Sequence, residues 1–559
     1  MKKRIIILGL ILVVGGMGFT LVKDKDLAIV KSLDIYCTLF RELNMFYVDD
    51  IDPEELVETS IVSMLKSLDP YTTYIPEKNM DDFNFQTTGE YGGIGSLIRR
   101  SGDYTMIAEP YEDFPAAKAG LKAGDILLEI DGKSTKGLEI SDISELLKGE
   151  PGTELTLTIR RKGKEQPMTF TLKRKNITIN NVPYYGMLNN HTGYIRLSNF
   201  TTNAGAEAEA ALKNLKMNDS LESLVLDLRN NPGGLLIESV RVSNLFLDKG
   251  KEIVSTRGKV KQWHNTYKTS AKPVDNDIPL VILVNRASAS AAEIVAGAMQ
   301  DHDRAVIVGQ RTFGKGLVQT TRQLKYNAQL KVTTAKYYIP SGRCIQALDY
   351  TNRNEDGSVG NVPDSLISSY KTRNGRTVYD GGGIRPDIKV EPESLSQITV
   401  RLYAANIIFD YATLYTLEHD SIGPPSAFEL RDTTYAAFSE YVESRGFEFE
   451  TASESALQEL IETAKKEKYY DIGKEEFRAL EKRLSHNNLK DLQTFRDEIQ
   501  QLLEEEIASR YGYQKGRIKA QLQNDKQLDK ALELTGKPGK INNILMGMEG
   551  TLAIGNRVD

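Results

Sequence analysis

Three short stretches of this 559-residue chain combine residue types that could carry acyl-transfer chemistry. In the first, the apolar run 281–285 leads into Arg286-Ala287-Ser288-Ala289-Ser290-Ala291-Ala292-Glu293-Ile294. This reads as a buried strand, a run of small residues and the start of an amphipathic helix. A serine at a helix start sits where backbone N–H groups lack partners and the dipole favours negative charge, which suits a nucleophile whose attack creates an oxyanion. Taken alone, Ser288 or Ser290 reads first as an N-cap. In the second stretch, 309–319, Lys315 stands between Gly314 and Gly316. A lysine held in a tight loop can be pushed into a low-dielectric site, where burial disfavours the ammonium and yields a general base; Gln319, four residues on, could orient its amine. The third is Asp227-Leu228-Arg229-Asn230-Asn231-Pro232-Gly233-Gly234-Leu235, a strand end and a Pro-Gly-Gly turn that exposes N–H groups as an oxyanion hole needs.

Rival chemistries fit less well. The stretch from Gly309 to Lys315 matches G-x-x-x-x-G-K, the opening of a phosphate-binding loop. Position 316 is glycine where a Mg²⁺-binding hydroxyl is needed, and the residues that follow, 317–325 and 329–338 around a turn at Asn327, alternate like a hairpin. A phosphate-binding loop must instead open a helix. The five histidines, His191, His264, His302, His419 and His486, form no close metal-ligand pair, so no metal or cofactor is expected. A Ser-x-x-Lys match at Ser63 and Lys66 lies in a plain amphipathic helix with no companion motif.

The elements that must position these groups can be read along the chain. Apolar residues Ile29, Leu33, Tyr36, Leu39, Phe40, Leu43 and Phe46 predict a helix, and a second runs from Pro53 to Leu68. Between 89 and 175 the pattern turns to short strands with glycine punctuation: a loop Tyr91-Gly92-Gly93-Ile94-Gly95, strands at 96–99, 104–108, 116–120, 126–130 and 154–161, and a helix over 140–147. From 193 to 390 strands alternate with helices, the sign of an α/β sheet. Beyond 393 the chain is helical and charge-rich.

Together the three stretches resemble the C-terminal processing peptidases, also called tail-specific or carboxyl-terminal proteases. The resemblance rests on S-A-S-A-x-E, on D-R-A-V-I-V-G-x-x-T-F-G-K-G-x-V-Q from Asp303 to Gln319, and on R-N-N-P-G-G-L-L, and it covers about 27–390. It implies Ser290 as nucleophile and Lys315 as base, 25 residues apart, with Gln319 orienting the lysine and Gly233, Gly234 and Ala291 as oxyanion donors. Position 292 is alanine where serine is frequent in the family. The unit at 89–175 resembles a PDZ domain: Tyr91, Gly92, Gly93, Ile94 and Gly95 match the carboxylate-binding loop, supported by Ala117 to Gly120, Ala123-Gly124-Asp125-Ile126 and Ile130-Asp131-Gly132. Glycine-rich N–H groups can hold a terminal carboxylate while the ligand adds a strand to the sheet edge. The fold class implied is multidomain: an α/β protease core with a mixed sheet, an inserted PDZ domain, and helical N- and C-terminal regions. The boundaries are 1–22 signal-anchor, 23–88 N-terminal helices, 89–175 PDZ domain, 176–392 protease core and 393–559 C-terminal helices. The expected activity is that of a serine endopeptidase which grips protein C-terminal tails; the family also allows a homodimer through the helical flanks.

Lys2, Lys3 and Arg4 precede an apolar run over 5–22, which reads as an export signal, favoured as an uncleaved membrane anchor over a removed signal peptide, with the remainder on the periplasmic side of the cell envelope in either case. A formal charge of −6, with basic residues scattered, argues against a nucleic-acid partner. Cys37 and Cys344 read as two isolated thiols. Two other classes compete: a scaffold that binds tails without cleaving them, and an ATP-dependent protein.

Overall fold

The computed structural model describes residues 24–354, 356–392, 394–484 and 487–548. The anchor expected over 1–22 lies outside them. Among the described residues no helix is long and apolar enough to cross a membrane. The chain divides into two compact units, Met1–Ile75 with Thr321–Val332, and Pro76–Thr320 with Thr333–Asp559.

In the first unit, helix α1 (Asp24–Phe46) and helix α2 (Pro53–Lys66) precede strand β1 (Thr73–Ile75), which pairs antiparallel with residues 329–331. Asp52 starts α2 by accepting from Glu54 N and Glu55 N at 2.8 and 3.2 Å, and Pro53 needs no acceptor at the first position. Ser63 and Lys66 both lie on α2.

The second unit opens with helix α3 (Met80–Thr88) and strand β2 (Glu90–Gly93). The glycine-punctuated region then forms β3 (Ser96–Ser101), β4 (Tyr104–Pro110), α4 (Pro115–Lys118), β5 (Ile126–Ile130), α5 (Ile140–Leu147), β6 (Glu154–Arg160), β7 (Met168–Lys173) and β8 (Lys175–Thr178). The sheet order β3-β4-β5-β6-β7 leaves β3 at an edge, while β8 returns to pair with β2. Its core is the inward set Ile107, Leu127, Ile143, Leu155, Leu157 and Ile159. Two details differ from expectation. Tyr91, Gly92 and Gly93 are strand, not loop, because β8 supplies a partner distant in sequence. Residues 116–120 open as helix, since Pro115 fixes a helical first turn and alanines follow.

The central sheet consists of β9 (Tyr184–Met187), β10 (Thr192–Arg196), β11 (Ser223–Asp227), β14 (Leu280–Val284), β15 (Val306–Gly309) and β18 (Ile388–Lys389), with crossover helices α6 (Ala204–Leu215), α7 (Leu236–Asn244) and α8 (Ala291–Asp301). β9 pairs antiparallel with β10 and every other pairing is parallel, so the sheet is mixed. A second sheet joins β12 (Glu252–Gly258), β13 (Asn265–Lys268), β16 (Leu317–Gln323) and β17 (Gln329–Tyr338). Alternation assigns the two faces of the central sheet. Leu224, Leu226, Leu280, Ile282, Val284 and Ile307 pack with α6, α7 and α8. Val225, Val281, Leu283, Val306 and Val308 point the other way, onto two of the last helices of the chain.

Those belong to a series: α9 (Gln397–Ala404), α10 (Ile407–Glu418), α11 (Asp432–Ser444), α12 (Ala452–Lys466), α13 (Lys474–Leu484), α14 (Asn488–Thr494), α15 (Arg496–Gln521), α16 (Lys526–Thr535) and α17 (Pro538–Leu545). α9, α10, α11, α14 and the first part of α15 share a core of their own. Leu528, Ala531 and Leu534 of α16 and Ile541 and Ile544 of α17 close the second face of the central sheet. The region after 392 therefore covers one face of the central sheet. Cys37 and Cys344 are both free thiols.

Candidate active site

Ser290 sits between β14 and α8, at φ 54° and ψ −112°. A non-glycine residue in that region is strained, and such strain persists only where the surroundings over-determine it. The surroundings are named easily. Glu293 of α8 reaches back so that Oε2 accepts from Ser290 N at 2.8 Å. The same Oε2 accepts from Lys315 N at 2.9 Å, while Oε1 accepts from Gly314 N at 2.7 Å and from the Thr312 hydroxyl at 2.6 Å. One carboxylate thus pins the backbone of the helix-start serine to the backbone of the glycine-flanked lysine. Glu293 is fully buried, and desolvation pushes its pKa up to about 7 against the four hydrogen bonds that favour its anion. The Tyr337 hydroxyl adds a donor to Ser290 O at 3.2 Å. Ser288 has a different life: its buried hydroxyl donates to Leu228 O at 2.8 Å and accepts from Asn285 N at 2.9 Å, which makes it a structural tie.

The loop carrying Lys315 joins β15 to β16, so a strand and not a helix follows the lysine. Phe313 N donates to Ser288 O at 3.0 Å and Gly316 N to Gln346 Oε1 at 2.8 Å, fixing the loop on both sides. Gly314, at φ 87°, packs so closely on Ala347 that a Cβ would lie 2.5 Å from its methyl. Gln319 is half-buried on β16 and its amide nitrogen donates to Thr333 Oγ1 at 3.2 Å.

The Pro-Gly-Gly turn lies against the serine. A Cβ on Gly233 would stand 2.7 Å from Ser290 Cβ and 2.9 Å from Ala291 N, so only glycine allows this approach. The three expected oxyanion donors are not alike. Gly233 N donates to Asn231 Oδ1 at 2.8 Å, which commits that N–H inside the turn. The bridge between this turn and Phe200 runs through Gly233 O and Leu235 N and takes no donor from Gly234. Ala291 N opens α8, where an N–H has no acceptor within the helix. The turn is further held by Asn231 Nδ2 on Leu197 O at 2.7 Å, by Ala289 N on Asn231 O at 2.9 Å, and by the Asn230 and Asn285 side chains.

The residues expected to bind a tail lie apart from the central sheet: Tyr91, Gly92 and Gly93 in β2, paired with β8, and Ile94 and Gly95 between β2 and β3. Gly92 faces Gly149 backbone so tightly that a Cβ would be 2.2 Å from its oxygen, and Gly95, at φ 74°, would clash with Phe114 Cβ at 2.5 Å. Ile94 is buried in the PDZ core and accepts from Ala116 N at 2.8 Å. Burial pushes the Tyr91 phenol up to about 12, against a hydrogen bond at the Ser96 backbone. Beside this loop β3 has one unpaired edge, with α5 packed next to it. Among the described residues no group of three or more His, Cys, Asp or Glu could hold a metal ion.

Glu293 and Asn231 were not singled out as functional from sequence. The S-x-x-E spacing is the available signal, since it matches a capping box, but the bonds of Glu293 to residues 312–315 depend on the packing of two loops.

Residues 191–353 match the profile described as "Peptidase family S41", residues 106–161 a "PDZ domain", and residues 398–535 "Probable PDZ-protease, C-terminal helical domain". A carboxy-terminal-processing protease of Bartonella bacilliformis is 38% identical over 338 residues, covering 60% of this chain and 77% of that protein. A CtpA-like serine protease of Staphylococcus aureus is 37% identical over 310 residues, covering 55% of this chain and 61% of its own length. Among solved structures, the photosystem II D1 C-terminal processing protease is 29% identical, covers 64% of this chain and 88% of its own, and superposes with a TM-score of 0.35. With its S41 core, PDZ domain and helical C-terminal region, the chain belongs to the carboxy-terminal-processing proteases, a family of serine-type peptidases.

Proposed function

We propose that this peptidase is an endopeptidase that docks protein C-terminal tails on its PDZ domain and cleaves through a Ser290/Lys315 acyl-enzyme. The supporting observation is the Glu293 carboxylate shared by the Ser290 and Lys315 backbones, which sets a strained serine beside the loop of its base. Ser290 Oγ attacks the scissile carbonyl carbon while the neutral Lys315 amine takes the hydroxyl proton. Oxyanion charge develops near Gly234 N and Ala291 N. As the C–N bond breaks, Lys315 returns the proton to the leaving amine and the ester remains on Ser290. Water then attacks the ester, giving its proton to Lys315, which passes it to Ser290 Oγ as the new carboxyl terminus leaves. Gln319, held by Thr333, orients the lysine amine. The tail adds to the free edge of β3, with its carboxylate at the N–H groups between Gly92 and Gly95. The N-terminal run would anchor the enzyme in the membrane with its catalytic part on the periplasmic side of the cell envelope.

A serine-directed fluorophosphonate probe tests the assignment. Wild type should label and turn over a tailed substrate, and Ser290→Ala should do neither. Labelling that survives in Ser290→Ala, or that moves to Ser288, sinks the reading.

A further inference from the structure

The last stretch of α15 touches both functional parts of the second unit. The helix breaks at Tyr513, whose φ of 50° and ψ of −150° are non-helical. The chain folds back there so closely that a Cβ on Gly516 would lie 2.5 Å from Ala508 O. Glu506, before the break, accepts from Arg510 at 2.9 Å and from Arg517, after it, at 2.5 Å, so a buried carboxylate staples the two arms. Toward the PDZ sheet, Arg517 also pairs with Glu109 of β4 at 2.9 Å and Lys515 with Glu112 at 3.0 Å. Toward the central sheet, Gln521 accepts from Arg196 at the end of β10 at 3.0 Å. Asp525, the N-cap of α16, pairs with Arg229 at 2.6 Å, and Gln527 accepts from the same guanidinium at 3.2 Å.

Arg229 is the residue before Asn230-Asn231-Pro232-Gly233-Gly234. Its other partner is the buried Asp227, so among the described residues Asp525 and Gln527 are what holds this guanidinium from outside its own turn. A charge pair removed from water on both sides transmits position, because separating it leaves an uncompensated buried charge. Two rigid arms joined at a kink are the kind of element whose two arrangements can couple distant sites.

We infer that residues 513–527 form a strut that couples the PDZ sheet to the Pro-Gly-Gly turn, with Asp525 a positioning residue for acyl transfer through Arg229. This rests on the reading of that turn as the oxyanion site. It assigns the C-terminal helical region a part in catalysis beyond covering the sheet.

The test uses the full chain and a short fluorogenic peptide with no tail, so that PDZ docking does not enter KM. Ser290→Ala must abolish turnover; if it does not, the site reading fails, whatever the strut does. Asp525→Asn removes the charge but keeps an acceptor for Gln527 N and Leu528 N, so the helix cap survives. We expect kcat to fall about tenfold with KM within about twofold, the signature of a contact that matters in the transition state. Glu109→Gln alters only the far end and should lower kcat about threefold, and the two changes together should lose less than the product of their separate effects. Wild-type kcat in Asp525→Asn at unchanged melting temperature overturns the inference, as do losses that simply multiply. Should Asp525→Asn melt early, Glu109→Gln decides alone, and an unchanged kcat there overturns it.

Discussion

The Ser290–Lys315 junction and the PDZ edge present backbone N–H groups in opposite ways. At the junction, Ser290 N, Gly314 N and Lys315 N converge on one buried internal anion, Glu293, so the two loops are locked before any substrate arrives. At the PDZ edge, β3 pairs on one side only, and glycines at 92 and 95 allow the chain before it to pack closely on Gly149 and Phe114. The first arrangement suits chemistry, which needs atoms fixed to a fraction of an ångström. The second suits recognition of varied tails, in which the ligand itself supplies strand and carboxylate.

Substitutions can separate these two modes, and the largest effect is expected at Ser290, the proposed nucleophile. Ser290→Ala should lower turnover by about 10⁴-fold or more. Ser288→Ala should leave probe labelling intact while costing about 1–3 kcal/mol of stability by stranding buried partners. Chemical denaturation and labelling of the two variants side by side would check both. Next comes the cover of the central sheet: Leu534→Ala, buried against it, should cost about 2–5 kcal/mol, read as a lower urea midpoint. No change would mean that the last helices do not complete the core.

Glu293 makes a prediction in which activity and stability part company. Its folded pKa, about 7, stands above the ordinary 4.5, so the folded state binds the extra proton between those values. Its contribution to stability is therefore present below about pH 4.5 and falls as pH rises toward 7, by about 3 kcal/mol at most. The anion, however, is the form that accepts four donors, so activity should rise later, as pH passes through about 7. Melting temperatures of wild type and Glu293→Gln against pH would show the difference, with the variant flat in this term and its kcat profile lacking the step near pH 7 while keeping the acid limb that a lysine base imposes. Parallel slopes in the two proteins would refute it.

The smallest effect falls on the PDZ side. Gly95→Ala introduces a Cβ 2.5 Å from Phe114 at positive φ, costing about 1–2 kcal/mol locally. Binding of a fluorescent C-terminal peptide should weaken about tenfold, while turnover of an untailed peptide stays within about twofold. Equal losses on both substrates would break the division between the two regions.

Local chemistry explains what was legible. Small residues before an apolar helix, a lysine between glycines and a Pro-Gly-Gly turn each carry their conformation in a few neighbouring residues. The alternation of strands and helices expected from 193 to 390 is seen, for example, in helix Ala204–Leu215 followed by strand Ser223–Asp227. The misses share a cause. Tyr91, Gly92 and Gly93 become strand because residues 175–177, more than 80 positions on, pair with them. Val225, Val281 and Val308 announce a face to be buried but not that α16 and α17 bury it.

Sequence alone determined which groups could react, since nucleophile, base and turn depend on residue type and short-range backbone preference. Tertiary structure decided which of them meet. Only packing brings Glu293 under two loops and sets Asp525 against Arg229. An amphipathic pattern states that a surface will be buried; which surface covers it is a matter of shape and charge between segments far apart in the chain.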